Sequence, residues 1–424
     1  MKILSPLSKI TQWTEYFYSM LKENLMKRNT FIAEIKKRLS EKRKFIQVVA
    51  GPRQVGKTTI ITQLLEQHDY NYIYETADAI SGDSREWLEQ IWNAARFRIK
   101  TGAKEIILII DEIQKVTDWS EVIKRMWDED TRTKTNIKLV LSGSSRLLIK
   151  QGLTESLHGR FELIQIPHWT LAEMKEAFGF SLEEYVYFGG YPGSAELIKD
   201  EKRWKNYMRD AIIETSISKD ILMLTTITKP ALLRQLFDLG SQYTSQILPF
   251  NKMLGTLTDA GNTVTLAHYL TLLDQSRLLG GLQKYSGSEQ HAKSSSPKLQ
   301  VYNNALFAAV AGKSFEEAKA TPDIWGRFVE SCAGTHLINN APLCGYKLFY
   351  WRDGNDEVDF VISRGDELCG IEVKSGVRTT NRGMSIFKAK YPHAKMYVVS
   401  ANDANNSGSI PLEEFLNLSP DILF

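Results

Sequence analysis

Gly51-Pro52-Arg53-Gln54-Val55-Gly56-Lys57-Thr58 fits the spacing G-x-x-x-x-G-K-[ST], and a second hydroxyl, Thr59, follows at once. The glycines let a backbone turn its N–H groups toward phosphate oxygens, and the start of a helix adds favourable partial charge there. In such a loop Lys57 reaches the β- and γ-phosphates, and the Thr58 hydroxyl ligates Mg²⁺. Asp111 and Glu112 close a stretch over 105–110 that is apolar from Ile106 onward, and Asp111 lies 54 positions after Lys57. At the carboxyl end of a strand, Asp111 can hold Mg²⁺, usually through water. Glu112 can then polarise the water that attacks a γ-phosphate.

A second constellation lies near the C-terminus. Asp359 is followed by the pattern Glu372-x-Lys374, and Glu330 stands upstream. Alternating residues of a strand face one side, so Glu372 and Lys374 point together, and Asp359 converges on them if the two strands are neighbours. Two carboxylates can hold Mg²⁺, with Glu330 as a further ligand. The metal would activate water and stabilise charge on a phosphodiester, while Lys374 orients the nucleophile or neutralises charge. The other reading is an amphipathic hairpin with its charged face in water.

The elements that must position these groups are legible as patterns. Residues 45–50 read as a buried strand entering the glycine loop, and 58–66 as the helix leaving it. A short strand at 71–74 and a helix over 84–100 follow. The strand over 105–110, apolar from Ile106 to Ile110, suits a parallel sheet covered on both faces. This strand–helix unit is expected to set an extra strand between the strands of the two motifs. A third strand, 137–141, runs into Ser142-Gly143-Ser144-Ser145. Ser142 or Ser144 could contact the γ-phosphate or the attacking water, or the segment is a Ser-rich turn capping a helix. Arg160 is a candidate arginine finger, in its own subunit or a neighbour's, or one half of a structural ion pair.

Residues 169–224 read as a helical lid, interrupted near 188–192. Helices over 230–243 and 264–276, then a strand pair or wing over 278–285, suggest a winged helix with residues 263–276 as its recognition helix. That segment, 225–289, carries five Lys/Arg against four Asp/Glu, so charge leaves DNA binding and a structural role equally open. Residues 286–297 read as a linker. Strands at 346–351, 357–362 and 368–374 follow a helix over 325–338.

The chain of 424 residues has room for several domains. Its net charge of +3 argues neither for nor against nucleic acid, although residues 20–44 form a basic helical stretch with nine Lys/Arg and three Glu. Three distant cysteines, Cys332, Cys344 and Cys369, form no C-x-x-C pair and fit a reduced compartment. No apolar run is long enough to span a membrane and no signal-peptide pattern opens the chain, so a cytoplasmic location is expected.

Five motifs in order carry a resemblance: residues 51–59, Ile110-Asp-Glu-Ile-Gln-Lys115, Ser142-Gly-Ser-Ser145, Leu157-His-Gly-Arg160 and Gly189-Gly-Tyr-Pro192. Together they resemble a prokaryotic AAA+-type ATPase family with a C-terminal domain of unknown function. Glu357-Val-Asp-Phe360 and Ile371-Glu-Val-Lys374 resemble that domain. The resemblance implies an α/β fold: a P-loop AAA+-type parallel sheet with a helical lid, then a winged helix and a restriction-endonuclease-like PD-(D/E)xK domain. The expected segments are 1–44, 45–168, 169–224, 225–290 and 291–424. ATP and Mg²⁺ are the implied cofactors. DNA, a protein partner and a second copy of the chain are the candidate partners. An ATPase that couples its cycle to those partners is the first expectation. A nucleotide switch whose nuclease-like domain is inactive and binds a protein partner is the second.

Overall fold

The computed structural model describes residues 28–80, 82–143, 156–222, 227–287, 295–376, 382–401 and 408–424. The N-terminal layer is built from α1 (Asn29–Ser40), β1 (Ile46–Ala50), α2 (Lys57–Glu66), β2 (Tyr72–Thr76), α3 (Ser84–Lys100), β3 (Ile106–Asp111), α4 (Trp119–Thr133), β4 (Ile137–Gly143) and β5 (Phe161–Gln165). The five strands are parallel in the order β2-β3-β4-β1-β5.

The apolar runs explain the layering. Along β3 alternate residues face opposite sides. Ile107 and Ile109 pack with Ile32, Ile35 and Leu39 of α1 and Ile60, Ile61 and Leu64 of α2. Ile106, Leu108 and Ile110 pack with Leu88 and Trp92 of α3 and Ile123 and Met126 of α4. The helical spacing of those partners gives each helix one apolar stripe. Asp83 caps α3 by accepting from the backbone of Arg85 and Glu86.

The strand expected between the two motif strands is not the one found there. β2, which precedes Asp111 in the chain, forms the outer edge, and β4 lies between β1 and β3. Burial accounts for this. β2 has a half-exposed pattern suited to an edge, whereas every residue of β4 is buried, as a central strand requires.

The second body begins with α5 (Leu171–Phe178), α6 (Leu182–Phe188) and α7 (Glu201–Tyr207), followed by π-helical turns at Met208–Glu214 and Ser216–Leu222. Capping boxes at Thr170/Glu173 and Ser181/Glu184 start α5 and α6. Then come α8 (Pro230–Gln242), α9 (Phe250–Thr256), α10 (Thr263–Gln275), β6 (Leu279–Lys284), β7 (Lys298–Val301), α11 (Asn304–Val310), α12 (Phe315–Ala320) and α13 (Pro322–Cys344). The chain ends with β8 (Lys347–Asp353), β9 (Asp356–Arg364), β10 (Glu367–Lys374), α14 (Arg382–Lys390), β11 (Lys395–Ser400), β12 (Ile410–Pro411) and α15 (Leu412–Asn417).

α8 and α10 fall on the two stretches expected as helices over 225–290, with the unexpected α9 between them, and β6 pairs antiparallel with β7. The 278–285 segment is one strand rather than a pair, because its partner β7 comes from beyond the expected linker. β6 also pairs with β8, so both strands belong to a mixed seven-stranded sheet of order β12-β11-β10-β9-β8-β6-β7. The boundary expected at 290 therefore cuts through a single sheet. The boundary at 224 is no firmer: one apolar core extends from Trp169, through Trp204, Leu236 and Leu273, to Phe415 and Leu423. The expected lid is part of this body. Among the described residues no helix is long and apolar enough to cross a membrane.

Candidate functional site

The glycine loop leaves β1 at Ala50 and enters α2 at Lys57. Gln54 and Gly56 both have left-handed backbone, with φ of 58° and 90°. Gly56 meets the second without a Cβ penalty. Gly51 is required for another reason: a Cβ there would lie 2.3 Å from the carbonyl oxygen of Ile166. The far side of the loop is held from outside the motif. The Val55 carbonyl accepts from the Trp169 indole at 3.0 Å and from Arg28 Nη1 at 3.4 Å, and Arg28 is ion-paired to Glu173 at 2.7 Å. Tyr207 donates its hydroxyl to Gln54 Oε1 at 2.8 Å.

Lys57 is buried and donates to the carbonyls of Gly51 and Pro52 at 3.0 and 2.7 Å. The next residue meets the second motif: Thr58 Oγ1 donates to Asp111 Oδ2 at 2.8 Å. Asp111, 4% exposed, also accepts from Tyr74 Oη at 2.9 Å on the same oxygen. Its other oxygen accepts from the Glu112 backbone at 2.9 Å and from Ser142 Oγ. Glu112 sits at φ 53° and its Oε2 accepts from Gln114 Nε2. Such a backbone in a non-glycine residue is strained, and strain of this kind gathers at functional positions. Burial, and then the adjacent Asp111 carboxylate, push the Tyr74 phenol well above its ordinary value, so Tyr74 remains a donor.

Lys57, Thr58, Asp111, Glu112 and Ser142 thus meet at the carboxyl ends of β1, β3 and β4. Ser144 lies outside the described residues. Thr58 and Asp111 present hard oxygen donors side by side, which suits Mg²⁺ completed by water and phosphate oxygens. Arg160 is elsewhere. Its carbonyl accepts from Ile46 N at 2.8 Å, which places it at the amino end of the sheet, roughly 15 Å of strand from the loop. Its guanidinium makes a two-pronged pair with Asp128 at 2.8 and 3.0 Å. Sequence reasoning missed Tyr74, Gln114, Trp169 and Arg28. Tyr74 could have been suspected from its place near the end of a strand next to that of Asp111.

The C-terminal carboxylates also gather. Phe360 of β9 opposes Ile371 of β10, which brings Asp359 beside Glu372 and Val373. Glu330 of α13, Asp359 and Glu372 line one cleft of about 400 Å³. Glu372 is ion-paired to Lys374, as their shared strand face predicts. Asp359 Oδ2 accepts from Val373 N at 2.8 Å. An unforeseen residue, Lys298 of β7, reaches the same centre: its ammonium lies 2.7 Å from Glu330, 3.3 Å from Glu357 and 3.6 Å from Asp359. Among the described residues no group of three or more His, Cys, Asp or Glu is disposed to hold a metal. The proposed ligands Glu330, Asp359 and Glu372 are brought together, but with lysines among them.

A parallel sheet carrying this loop and an Asp-Glu strand end defines a P-loop nucleotide-binding domain. In agreement, residues 43–175 match the family described as AAA domain, residues 179–317 match a domain of unknown function (DUF8612), and residues 325–415 match another (DUF4143). The chain therefore carries an AAA-type domain followed by domains of unknown function. It is 24% identical over 337 residues to an uncharacterized protein of Mycobacterium tuberculosis, covering 78% of this chain and 70% of that one. It is 23% identical over 363 residues to one of Methanocaldococcus jannaschii, covering 80% and 77%. The ORC1 protein of Aeropyrum pernix, solved in complex with DNA, aligns with a TM-score of 0.32 and 12% identity over 71% of this chain and 97% of that one. So loose an alignment says nothing about what this chain binds.

Proposed function

We propose that the chain is a Mg²⁺-dependent ATPase of AAA type whose nucleotide state governs how its C-terminal body engages DNA or a protein partner. The Thr58–Asp111 contact, with Glu112 next in sequence and Ser142 behind, carries this reading. Lys57 would turn from the loop carbonyls to the β- and γ-phosphates. Thr58 and Asp111 would hold Mg²⁺, which would supply neutralisation of phosphate charge. Glu112 would take the proton of the attacking water, and Ser142 would orient that water or register the γ-phosphate. The backbone N–H groups of residues 51–59 would cradle the phosphates. Arg160 cannot reach its own loop, so a role as a finger requires a neighbouring copy in a homo-oligomer.

The link to the C-terminal body supports coupling. Gln54 and Val55 of the phosphate loop bond Tyr207 and Trp169, both part of the second body's core or directly packed on it. A loop that closes on phosphates would pull on both. The reading is tested by steady-state ATP hydrolysis with and without duplex DNA, with Lys57→Ala as the blank. Turnover lost in Lys57→Ala supports the ATPase, and stimulation by DNA supports the nucleic-acid partner. Turnover equal in Lys57→Ala sinks the ATPase assignment.

A second reading keeps the ATP site but makes the C-terminal body a binding module without cleavage. It is favoured by the ion pairing of the C-terminal carboxylates with Lys298 and Lys374. Its mark would be a nucleotide-dependent change in affinity for a protein partner, with no cutting of nucleic acid in Mg²⁺ or Mn²⁺.

A further inference from the structure

We propose that Lys298 is a resident counter-ion, filling the place among Glu330, Glu357 and Asp359 that a divalent metal would otherwise take. The geometry differs from a loose surface pair. The lysine side chain is 1% exposed, and three carboxylates from two separate elements, α13 and β9, surround its ammonium. The ammonium also donates to the Asp359 carbonyl at 3.1 Å and lies 5.0 Å from the centre of the Phe360 ring. A buried ammonium needs its donors used and its charge balanced, and both conditions are met here.

The backbone fixes the lysine in that position. Lys298 opens β7, with Leu282 of β6 beside it on one side and a bridge to Ile247 on the other. The bonds Leu248 N to the Pro297 carbonyl, at 3.0 Å, and Leu299 N to the Gln246 carbonyl, at 3.0 Å, hold the residues before and after it. The Cα of Lys298 is thereby fixed beside the cleft, and its side chain, 1% exposed, is held there by burial and by its ion pairs.

Asp359 and Glu372 have further contacts of their own. Asp359 Oδ1 faces Lys298, and its Oδ2 accepts from Val373 N. Glu372 is turned to Lys374. Burial alone would lower the Lys298 pKa, yet Glu330, Asp359 and Glu357 together raise it above the ordinary lysine value. Burial pushes the Glu330 carboxyl up against the pull of Lys298. A magnesium ion wants six hard oxygens in a tight octahedron, with several of them water. Here it would have to displace a buried ammonium paired with the same oxygens, so the carboxylates fit an ammonium and do not fit a divalent cation while Lys298 is in place. The inference concerns metal binding alone and is independent of the ATPase assignment.

The test is Mn²⁺ binding to the full-length, nucleotide-free chain, read as loss of the free Mn²⁺ signal in electron paramagnetic resonance. The wild type and Asp359→Asn should bind the same amount. Lys298→Met should gain one site, and the double variant Lys298→Met/Asp359→Asn should lose it. A wild-type site that Asp359→Asn removes would overturn the proposal. So would a folded Lys298→Met protein that gains none, since the lysine would then replace nothing. Should Lys298→Met not fold by circular dichroism, Lys298→Gln, neutral and still capable of hydrogen bonding, takes its place, and the wild-type comparison with Asp359→Asn still decides the first outcome.

Discussion

Thr58 Oγ1 and Asp111 Oδ2 are 2.8 Å apart, and this one contact joins the start of the helix after the phosphate loop to the end of a strand that is not its sheet neighbour. β4 lies between their strands, and its Ser142 bonds the same aspartate. Two strand ends and a helix start are thereby tied at one carboxylate.

The first prediction separates binding from chemistry there. Glu112→Gln keeps the shape and removes the base. It should bind ATP as the wild type does and lose about 10²- to 10⁴-fold in turnover. Thr58→Ala should lose the benefit of Mg²⁺ in nucleotide binding. Fluorescent-nucleotide titration and phosphate release measure the two effects, and full turnover by Glu112→Gln would mean that another group takes the proton.

Gly51→Ala tests the loop's seat. Its new methyl would meet the Ile166 carbonyl at 2.3 Å, so β1 and the segment after β5 must part. A loss of roughly 1–3 kcal/mol is expected, together with weaker nucleotide binding. Chemical denaturation reads the first quantity. An unchanged midpoint would show that the loop yields without cost.

Arg160 offers a mixing experiment. Alone, Arg160→Ala should cost under about 1 kcal/mol of stability, because its pair with Asp128 is largely exposed. If it serves a neighbour, Arg160→Ala and Lys57→Ala, each inactive, should regain turnover when mixed. One supplies the intact phosphate site and the other the arginine. No recovery in a mixture shown to co-assemble would assign Arg160 to its ion pair alone.

Acid stability should follow two buried histidines. Burial pushes His168 down to about 3 and His336 down to about 4, from the ordinary 6.5. Below pH 6.5 the unfolded chain takes up protons that the folded chain refuses. Stability should therefore fall as pH drops from 6.5 toward those values, with a slope of at most about 1.4 kcal/mol per pH unit for each histidine, and be flat in this respect above 6.5. Urea midpoints at pH 7 and pH 5 measure it. His168→Gln should reduce the difference, and an equal difference in that variant would exclude His168 as a source.

The sequence shows the N-terminal site well because its chemistry is local. Residues 51–59 form one loop, and the stretch around Asp111 is one strand end, so spacing and apolar runs suffice. Order in the sheet is another matter. Nothing adjacent to β2 or β4 states which is central; only the half-polar pattern of β2, weighed against the full burial of β4, tells them apart. Lys298 was illegible for a related reason. It lies among serines and a proline in the chain, and its meaning comes from Glu330, Glu357 and Asp359, the nearest of them 32 positions away. Long-range pairing also hid the union of β6 with β8, which joins segments that composition separates at a Ser-rich stretch.

The shared core of the second body has a mechanical consequence. Residues 166–170 are the covalent joint after β5, and beyond it one apolar core joins described residues from Trp169 to Leu423. A flap hinged at both ends could flutter over a nucleotide and leave the rest of the molecule still. Here the arm that touches Gln54 and the sheet that holds Lys298 are built on the same core. If the loop shifts when it takes up phosphate, the parts built on that shared core would have to follow together rather than one by one.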